Sequence, residues 1–157
     1  MNPRLAARIL LIDEFDRVLL LRGTDPSKPD AGSWWYAPGG GLEEGESHES
    51  GAIRELWEET GHKVDQVGAP IWEREVRFNF NGIDYFQREL YYAIRTESFE
   101  PIPAAFSELE KSAIIEFRWW GHDELKSSKE PIFPTALISQ FPELLTGEIS
   151  EIRKIYE

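Results

Sequence analysis

Residues 39–62, with the sequence GGGLEEGESHESGAIRELWEETGH, combine seven glutamates with a single arginine. Like charges three or four positions apart on a helix repel each other by about 0.2 to 0.5 kcal/mol per pair, which one arginine cannot offset throughout the segment. The segment is therefore a solvated face, a disordered acidic patch or a site for cations. The spacing of its acids bears on these alternatives.

Three of the glutamates share one patch if the segment is helical. A helix advances by about 100° per residue, so Glu55, Glu58 and Glu59, at i, i+3 and i+4, lie on one side of it. Mg²⁺ prefers such carboxylate oxygens and keeps waters and substrate phosphates as its other ligands. The trio alone is also typical of a solvated helix face, so both interpretations stay open at this point.

The apolar residues of the same segment predict how the helix packs. Four side chains recur at i, i+3, i+4 and i+7 and should face a sheet, with the glutamates roughly opposite: Ile53, Leu56, Trp57 and Thr60. Gly61 suits the left-handed position that ends a helix. Upstream, the three glycines at 39–41 permit a tight loop that exposes its carbonyl oxygens.

The rest of the chain supplies the elements that must hold this helix. Alternating apolar residues predict two hairpins, at about residues 6–22 and 71–94, and the second turns at the Asn-Gly pair at 81–82. Further elements are expected as strands at 34–37 and 117–120 and as short helices near 123 and 135. We therefore predict a mixed sheet with one clear central helix, in a single domain over residues 1–157.

The composition narrows the classes of ligand and of compartment. Seventeen basic and 29 acidic residues leave a net charge of -12, which opposes binding to DNA, long RNA or an anionic membrane surface. A small phosphorylated ligand can still bind if metal ions bring positive charge. The absence of cysteine excludes disulfides, thiolate zinc sites and cysteine nucleophiles. The apolar run at 9–12 is too short to span a membrane, so we expect a soluble cytoplasmic protein.

One string of residues within the acidic segment resembles the Nudix box of the Nudix hydrolase family. It consists of Gly40, five residues, Glu46, seven residues, Arg54-Glu55-Leu56, one residue, Glu58-Glu59, one residue and Gly61. Every charged residue and glycine of the family pattern is in place, and several fixed identities at fixed spacing make the match specific. The departure is His62, where the family usually has an aliphatic residue, and it affects the expected local packing rather than the chemistry.

The resemblance implies a fold, a reaction and a cofactor. The Nudix fold is an α/β/α sandwich around a mixed β-sheet, in which the box forms a loop-helix-loop motif, and this agrees with the predicted order of elements. Family members hydrolyse a nucleoside diphosphate linked to another group, X, by attack of water on one phosphorus with the help of Mg²⁺ or Mn²⁺. By the family pattern, the metal ligands would be Glu55, Glu58, Glu59 and the carbonyl oxygen of Gly39.

The resemblance also suggests roles for other residues of the site. Glu46 and Arg54 would hold the metal-binding glutamates in place through ion pairs. The general base would be Glu58 or a carboxylate on a later loop, and among the later glutamates we choose Glu110.

Substrate contacts are expected from two strands and one aromatic residue. Arg22 ends the strand at 18–22, where relatives often turn a side chain toward the phosphates or the base, and Arg8 lies on the facing strand. Five aromatic residues could stack on a nucleobase, and we choose the second of them: Trp34, Trp35, Phe78, Phe80 and Tyr85. The alternatives are surface positions for the two arginines and core positions for the aromatic residues.

The missing signatures narrow the substrate by elimination. Sequence marks of relatives specific for ADP-ribose, diadenosine polyphosphates or NADH are absent, so the candidates are nucleoside triphosphates, oxidised nucleoside triphosphates and nucleotide sugars. We expect a small nucleotide substrate and neither a long nucleic acid nor a membrane as partner. Many relatives are dimers, so a homodimer stays open.

Two functions compete for this chain. One is a metal-dependent pyrophosphohydrolase, an enzyme that acts on acid anhydrides. The alternative is a non-catalytic Nudix-fold module that binds or senses nucleotides. Such modules often carry a broken box, whereas the acids of this box are whole, so the enzyme is favoured.

Overall fold

The computed structural model describes residues 2–157, and every strand in that range joins one mixed sheet. The strands are, in chain order, β1 (Arg4–Ile12), β2 (Val18–Thr24), β3 (Ser33–Tyr36), β4 (Gly39–Gly41), β5 (Trp72–Phe80), β6 (Ile83–Arg95), β7 (Ile114–Trp120), β8 (Ile132–Phe133) and β9 (Arg153–Lys154). The helices are α1 (His48–Thr60), α2 (Glu108–Ala113), α3 (His122–Lys126) and α4 (Ala136–Thr146).

The sheet is organised around β1, which is buried on both faces along most of its length. The strand order is β8-β3-β2-β1-β6-β5-β9, with β4 added beside β1 and β7 added beside β2. β1 runs parallel to β6 from the pair Arg4 and Gln87 to the pair Ile12 and Arg95. Its other edge is divided, because β4 pairs with residues 6–8 and β2 pairs only at Ile12.

The first predicted hairpin is present but pairs less extensively than expected, because this edge of β1 is divided. The strands expected over residues 6–22 do run antiparallel, but β1 and β2 pair at a single position, Ile12 with Val18. The hydrogen bonds of the remaining edge go to the glycine strand β4, and β2 pairs with β3 and β7 instead. The sheet therefore splits next to β1 and leaves room for a cavity between its two halves.

Alternate residues of β1 build two cores on opposite faces of the sheet, as the period of two in a strand requires. Leu10 and Ile12 belong to one core, which α4 covers with Phe141. Ile9 and Leu11 belong to the other, which α1 covers with Leu56. The layers are thus helix, mixed sheet and helix, which confirms the predicted α/β/α sandwich.

Most of the predicted elements are present. The second hairpin turns at Asn81 and Gly82, both with positive φ, and helices begin at His122 and Ala136 as expected. Four short elements, each of six residues or fewer, were not predicted from the sequence: β4, α2, β8 and β9. No helix within residues 2–157 combines the length and the apolar character needed to cross a bilayer.

Candidate active site

Helix α1 is bounded firmly at both ends. At its start, the hydroxyl of Ser47 accepts a hydrogen bond from the backbone N–H of Ser50 at 3.1 Å. At its end, Gly61 adopts the left-handed conformation with φ of 77° and donates to the carbonyl of Trp57 at 2.8 Å, as predicted. A side chain at Gly61 would collide with the carbonyl of Ile102. The register of the glutamates on the helix is therefore fixed.

The face of α1 that packs on the sheet differs from the predicted one. Leu56 and Thr60 are buried as expected, but Trp57 is 43% exposed. Glu59, expected on the opposite side, is only 2% exposed. The reason is that α1 lies across β1 and β4, so its buried arc is rotated toward the glutamates. At least one acid of the patch is therefore taken out of water.

Three carboxylates meet at this buried edge of the helix. Glu55 and Glu59 of α1 and Glu110 of α2 each offer an oxygen, and these oxygens lie within 4.8 Å of one another. Burial, reinforced by the charge of Glu55, raises the pKa of Glu59 well above its usual value. Burial also raises the pKa of Glu55, although Arg54 opposes the shift. A divalent cation with oxygen ligands would relieve this concentration of negative charge.

Arg54 connects the glutamates of the box. Its guanidinium binds both carboxylate oxygens of Glu46, at 2.8 and 2.9 Å, and its Nη1 donates to Glu55 and Glu58, each at 3.1 Å. A further bond reaches the carbonyl of Gly41 at 3.2 Å. The hydrogen bond from Arg54 lowers the pKa of Glu46 and keeps that carboxylate charged. The side chain of Glu58 is held by Arg54 and lies outside the group of three acids.

Gly39 joins the glycine strand to the acids. Its N–H donates to Glu59 Oε1 at 2.7 Å, and its carbonyl accepts a bond from Arg8 Nη1 at 3.0 Å. With φ of 147°, and with the carbonyl of Ala7 where a β-carbon would lie, only glycine fits this position. Arg8 in turn binds the buried Glu89 at 3.0 Å.

Glu89 is a second buried carboxylate beside the site, and the protein surrounds it with donors. Arg8, Arg74, Gln87 and Tyr91 all bind its oxygens, at distances of 2.6 to 3.0 Å. Although burial opposes the shift, Arg8 and Arg74 lower the pKa of Glu89 to about 2. This carboxylate is therefore charged and internally paired.

A cavity of about 700 Å³ opens beside the three acids. Its walls carry the acids themselves, several arginines and a set of aromatic rings: Trp34, Tyr36, Phe78, Phe80, Tyr85, Tyr91 and Phe133. Two of these rings, Phe78 and Tyr85, are stacked with their centres 5.1 Å apart. Such walls can hold a flat heterocyclic ring while the acids hold cations, and the volume suits a small ligand.

Of the three predicted substrate residues, one lines the cavity and two do not. Arg8 lines the cavity, but it is bound to Glu89. Arg22 lies outside the cavity lining and pairs with Glu130 at 3.0 Å. Trp35, expected to stack on a base, is 2% exposed and belongs to the core. The register of β3 explains this correction, because successive side chains of a strand face opposite sides and Trp34 lines the cavity instead.

Glu89 was not predicted from the sequence as part of the site. Glu89 could have been suspected from its position directly before the apolar run at 90–94, because a charged residue that is buried in a strand needs partners. His62 stands where the family usually has an aliphatic residue. Its ring stacks on Phe99, with ring centres 4.6 Å apart and planes 13° from parallel. The imidazole thus fills the place of an aliphatic side chain at the end of the box.

The comparisons with known proteins agree with this geometry. The family model of the NUDIX domain matches residues 2–141. Among curated proteins, the chain is 48% identical over 42 residues to the RNA pyrophosphohydrolase of Cereibacter sphaeroides (strain ATCC 17029), covering 24% of this chain and 26% of that protein. It is 54% identical over 46 residues to the Nudix hydrolase YvcI of Bacillus subtilis, covering 29% and 25%. The matches therefore span about a quarter of these relatives.

Solved structures match over nearly the whole chain. A NUDIX hydrolase from Nitrosomonas europaea has a TM-score of 0.68 at 19% identity, covering 100% of this chain and 81% of that one. The MutT protein from Methanosarcina mazei has a TM-score of 0.63 at 21% identity, covering 93% and 96%. An ADP-ribose pyrophosphatase from Streptococcus suis has a TM-score of 0.61 at 15% identity, covering 99% and 100%. At these identities the likeness shows the fold.

Proposed function

The chain belongs to the NUDIX family, and on that premise we propose that it is a metal-dependent pyrophosphohydrolase of small nucleotides. The observation that carries the proposal is the meeting of Glu55, Glu59 and Glu110 within 4.8 Å at a cavity with aromatic walls. The substrate would be a nucleoside diphosphate linked to a group X. A nucleoside triphosphate, an oxidised nucleoside triphosphate and a nucleotide sugar all belong to this class.

The donor set fits Mg²⁺ or Mn²⁺. Carboxylate oxygens of Glu55 and Glu59 are hard ligands, and burial has already raised the pKa of both, so that a cation would stabilise their charged forms. Glu58 and the carbonyl of Gly39 are further ligands in our proposal, and Arg54 and Arg8 hold them, respectively. Mg²⁺ or Mn²⁺ held by these residues would supply Lewis-acid chemistry, which polarises a phosphoryl oxygen and lowers the pKa of the attacking water.

The protein's own residues position the reaction and move the proton. Arg54 and Glu46 fix the carboxylates of α1 so that they need not reorganise during the reaction. Glu110 takes the proton of the attacking water onto its carboxylate in our proposal, and Glu58 is the alternative base. The carboxylate of Glu110 is oriented by the cap of α2, where it accepts the N–H of Ser107 at 2.9 Å. The water oxygen bonds to one phosphorus as the bridging oxygen leaves, which releases two phosphate-bearing products.

The names of relatives support cleavage of a diphosphate. The curated relative from Cereibacter sphaeroides is an RNA pyrophosphohydrolase, and the structural neighbour from Streptococcus suis is an ADP-ribose pyrophosphatase. For this chain, the net charge of -12 favours a small nucleotide over a long RNA. The second candidate function, a non-catalytic nucleotide sensor, is weakened by the intact set of acids.

The test is a panel of nucleoside triphosphates, oxidised triphosphates, nucleotide sugars, dinucleotides and ADP-ribose, incubated with Mg²⁺, with Mn²⁺ or with EDTA. We expect metal-dependent cleavage between two phosphates of at least one compound, identified by product mass. Reaction in ¹⁸O-labelled water would show which phosphorus is attacked. Binding of a panel member without turnover under either metal would refute the hydrolase and support the sensor.

A further inference from the structure

Four arginines line the cavity, but two of them are already committed. Arg8 binds Glu89 at 3.0 Å and Arg74 binds the same carboxylate at 2.6 Å. Both side chains are largely buried, and Glu89 is 0% exposed. A substrate phosphate could bind them fully only by separating a buried ion pair, which is costly. The arginines that meet an anionic ligand must therefore be sought elsewhere in the cavity wall.

Arg4, at the start of β1, is exposed and is not held in an ion pair with any residue that the structure describes, unlike Arg8 and Arg74. Within the described range 2–157, no carboxylate lies within 4.0 Å of its side-chain nitrogens, and the residue is exposed. Its Nη1 donates to the amide oxygen of Gln87 at 3.3 Å, and its guanidinium lies 5.2 Å from the ring centre of Tyr85. Most of its five N–H donors are thus available to a ligand.

This guanidinium lies beside the glycine strand β4 and the aromatic wall of the cavity. It lies against Gly41, where a β-carbon would occupy its place. The neighbouring Gly40 lies against Glu55, since a β-carbon there would be 2.7 Å from Glu55 Oε1. On the other side is Tyr85 with its stacked partner Phe78. Because successive residues of a strand face opposite sides, Arg4 and Glu55 flank β4 from its two faces, and both line the cavity. For a nucleotide whose base contacts these rings and whose diphosphate reaches the acids, we expect a phosphate to come near Arg4.

Arg77 is the fourth arginine of the cavity wall, and its guanidinium packs on a ring outside the cavity. The guanidinium of Arg77 lies 3.9 Å from the ring centre of Phe86, a ring outside the cavity lining. We propose that Arg4 is the cationic contact for a phosphate group of the nucleotide, and this inference rests on the function proposed above. The planar fork of an arginine matches two phosphate oxygens at once, which gives orientation as well as affinity. Arg4 is therefore a positioning residue for the substrate.

The test measures binding of a phosphate-bearing probe and of the same probe without phosphate. The probes are the α,β-methylene analogues of ADP, GDP, CDP and UDP, whose P–C–P bridge cannot be hydrolysed, and the four parent nucleosides, each titrated calorimetrically with Mg²⁺ present. Arg4→Gln should weaken binding of the diphosphate analogue by about 10-fold to 100-fold and leave the nucleoside unchanged. Arg4→Lys should fall between wild type and Arg4→Gln, because a point charge replaces the fork.

The matched control is Arg88→Gln on β6. Arg88 follows Gln87 in sequence, pairs with Glu75 at 2.8 Å and does not line the cavity. This variant should bind every probe like wild type, and thermal unfolding of all variants checks the fold. Equal affinity of Arg4→Gln and wild type for the diphosphate would overturn the inference, as would an equal loss for the nucleoside or failure of wild type to bind any analogue.

Hydrolysis assays separate this inference from the proposed function. If Arg4 governs binding of the analogue but no compound is cleaved, the hydrolase proposal fails while the role of Arg4 stands. If a compound is cleaved and Arg4→Gln leaves both its KM and the analogue affinity unchanged, the role of Arg4 fails while the hydrolase stands.

Discussion

Replacement of Glu59 by glutamine should stabilise the metal-free protein while removing its response to metal. Glu59 is 2% exposed, and one of its oxygens lies within 4.8 Å of one oxygen of Glu55 and one of Glu110. Glutamine keeps the acceptor for the N–H of Gly39, now 2.7 Å from Oε1, and removes the charge. The variant therefore tests the charge of this side chain with little change in its shape.

The magnitude follows from the geometry of the acids. At 4.8 Å and an effective dielectric constant of about 20, two unit charges repel by about 3 kcal/mol. Proton uptake by Glu59 and solvent around Glu110 reduce this value, so we expect Glu59→Gln to gain about 1 to 3 kcal/mol near pH 7.5 in EDTA. For a chain of this size that corresponds to a rise in Tm of about 2 to 12 °C.

The pH dependence has a defined sign. Because the folded protein raises the pKa of Glu59 above its usual 4.5, the protonated acid favours folding, and this contribution is complete below that value. As the pH rises, wild type without metal loses it progressively. The advantage of Glu59→Gln should therefore be largest at neutral pH and should disappear as the pH falls toward 4.5.

The assay is thermal unfolding in EDTA and in Mg²⁺, with Glu49→Gln as control, since Glu49 is an exposed glutamate on the same helix. Mg²⁺ should raise the Tm of wild type and of Glu49→Gln, because a ligand that binds only the folded state stabilises it. It should have little effect on Glu59→Gln. A variant that is less stable than wild type in EDTA, or that responds equally to Mg²⁺, would refute the reasoning.

Three other substitutions test the remaining parts of the site. Glu110→Gln should lower kcat by about 10²-fold to 10⁴-fold in a steady-state assay with Mg²⁺, and an unchanged kcat would reject Glu110 as the base. Arg54→Lys loses the paired bonds to Glu46, so kcat should fall at least about 10-fold in a steady-state assay, and full activity would show that the fork is dispensable. His62→Leu should leave kcat unchanged and alter stability by less than about 1.5 kcal/mol in urea unfolding, whereas a larger loss would assign the imidazole a role beyond packing.

The sequence predicted the site best where several residues act within one helix. The limits of α1 and the left-handed Gly61 follow from local rules, and the spacing within the box is enough to bring Glu55 and Glu59 to one side of the helix. The exposure of Trp57 could not be predicted, because the direction of the buried arc depends on how α1 crosses β1 and β4. Helical periodicity alone gives the width of such an arc and only its approximate direction.

The positions of residues on strands were harder to predict. The choice between Trp34 and Trp35 depends on the register of β3, and a shift of one residue exchanges the cavity and the core. Arg8 and Arg22 have acidic partners that are 81 and 108 residues away in sequence, so nothing near them indicated that their charges were occupied. For the same reason, the sequence could not indicate that Arg4 lacks an acidic partner within residues 2–157.

The two buried carboxylates beside the cavity, Glu89 and Glu59, differ in whether the protein compensates their charge. Glu89 is surrounded by arginine, glutamine and tyrosine donors, and the arginines lower its pKa to about 2. Glu59 is almost equally buried, yet within residues 2–157 it receives a single N–H and has two acidic neighbours, and its pKa is raised. A protein that can neutralise one buried acid so completely has no folding reason to leave another unpaired beside it. The difference is explained if the positive charge at Glu59 comes from a ligand rather than from the chain.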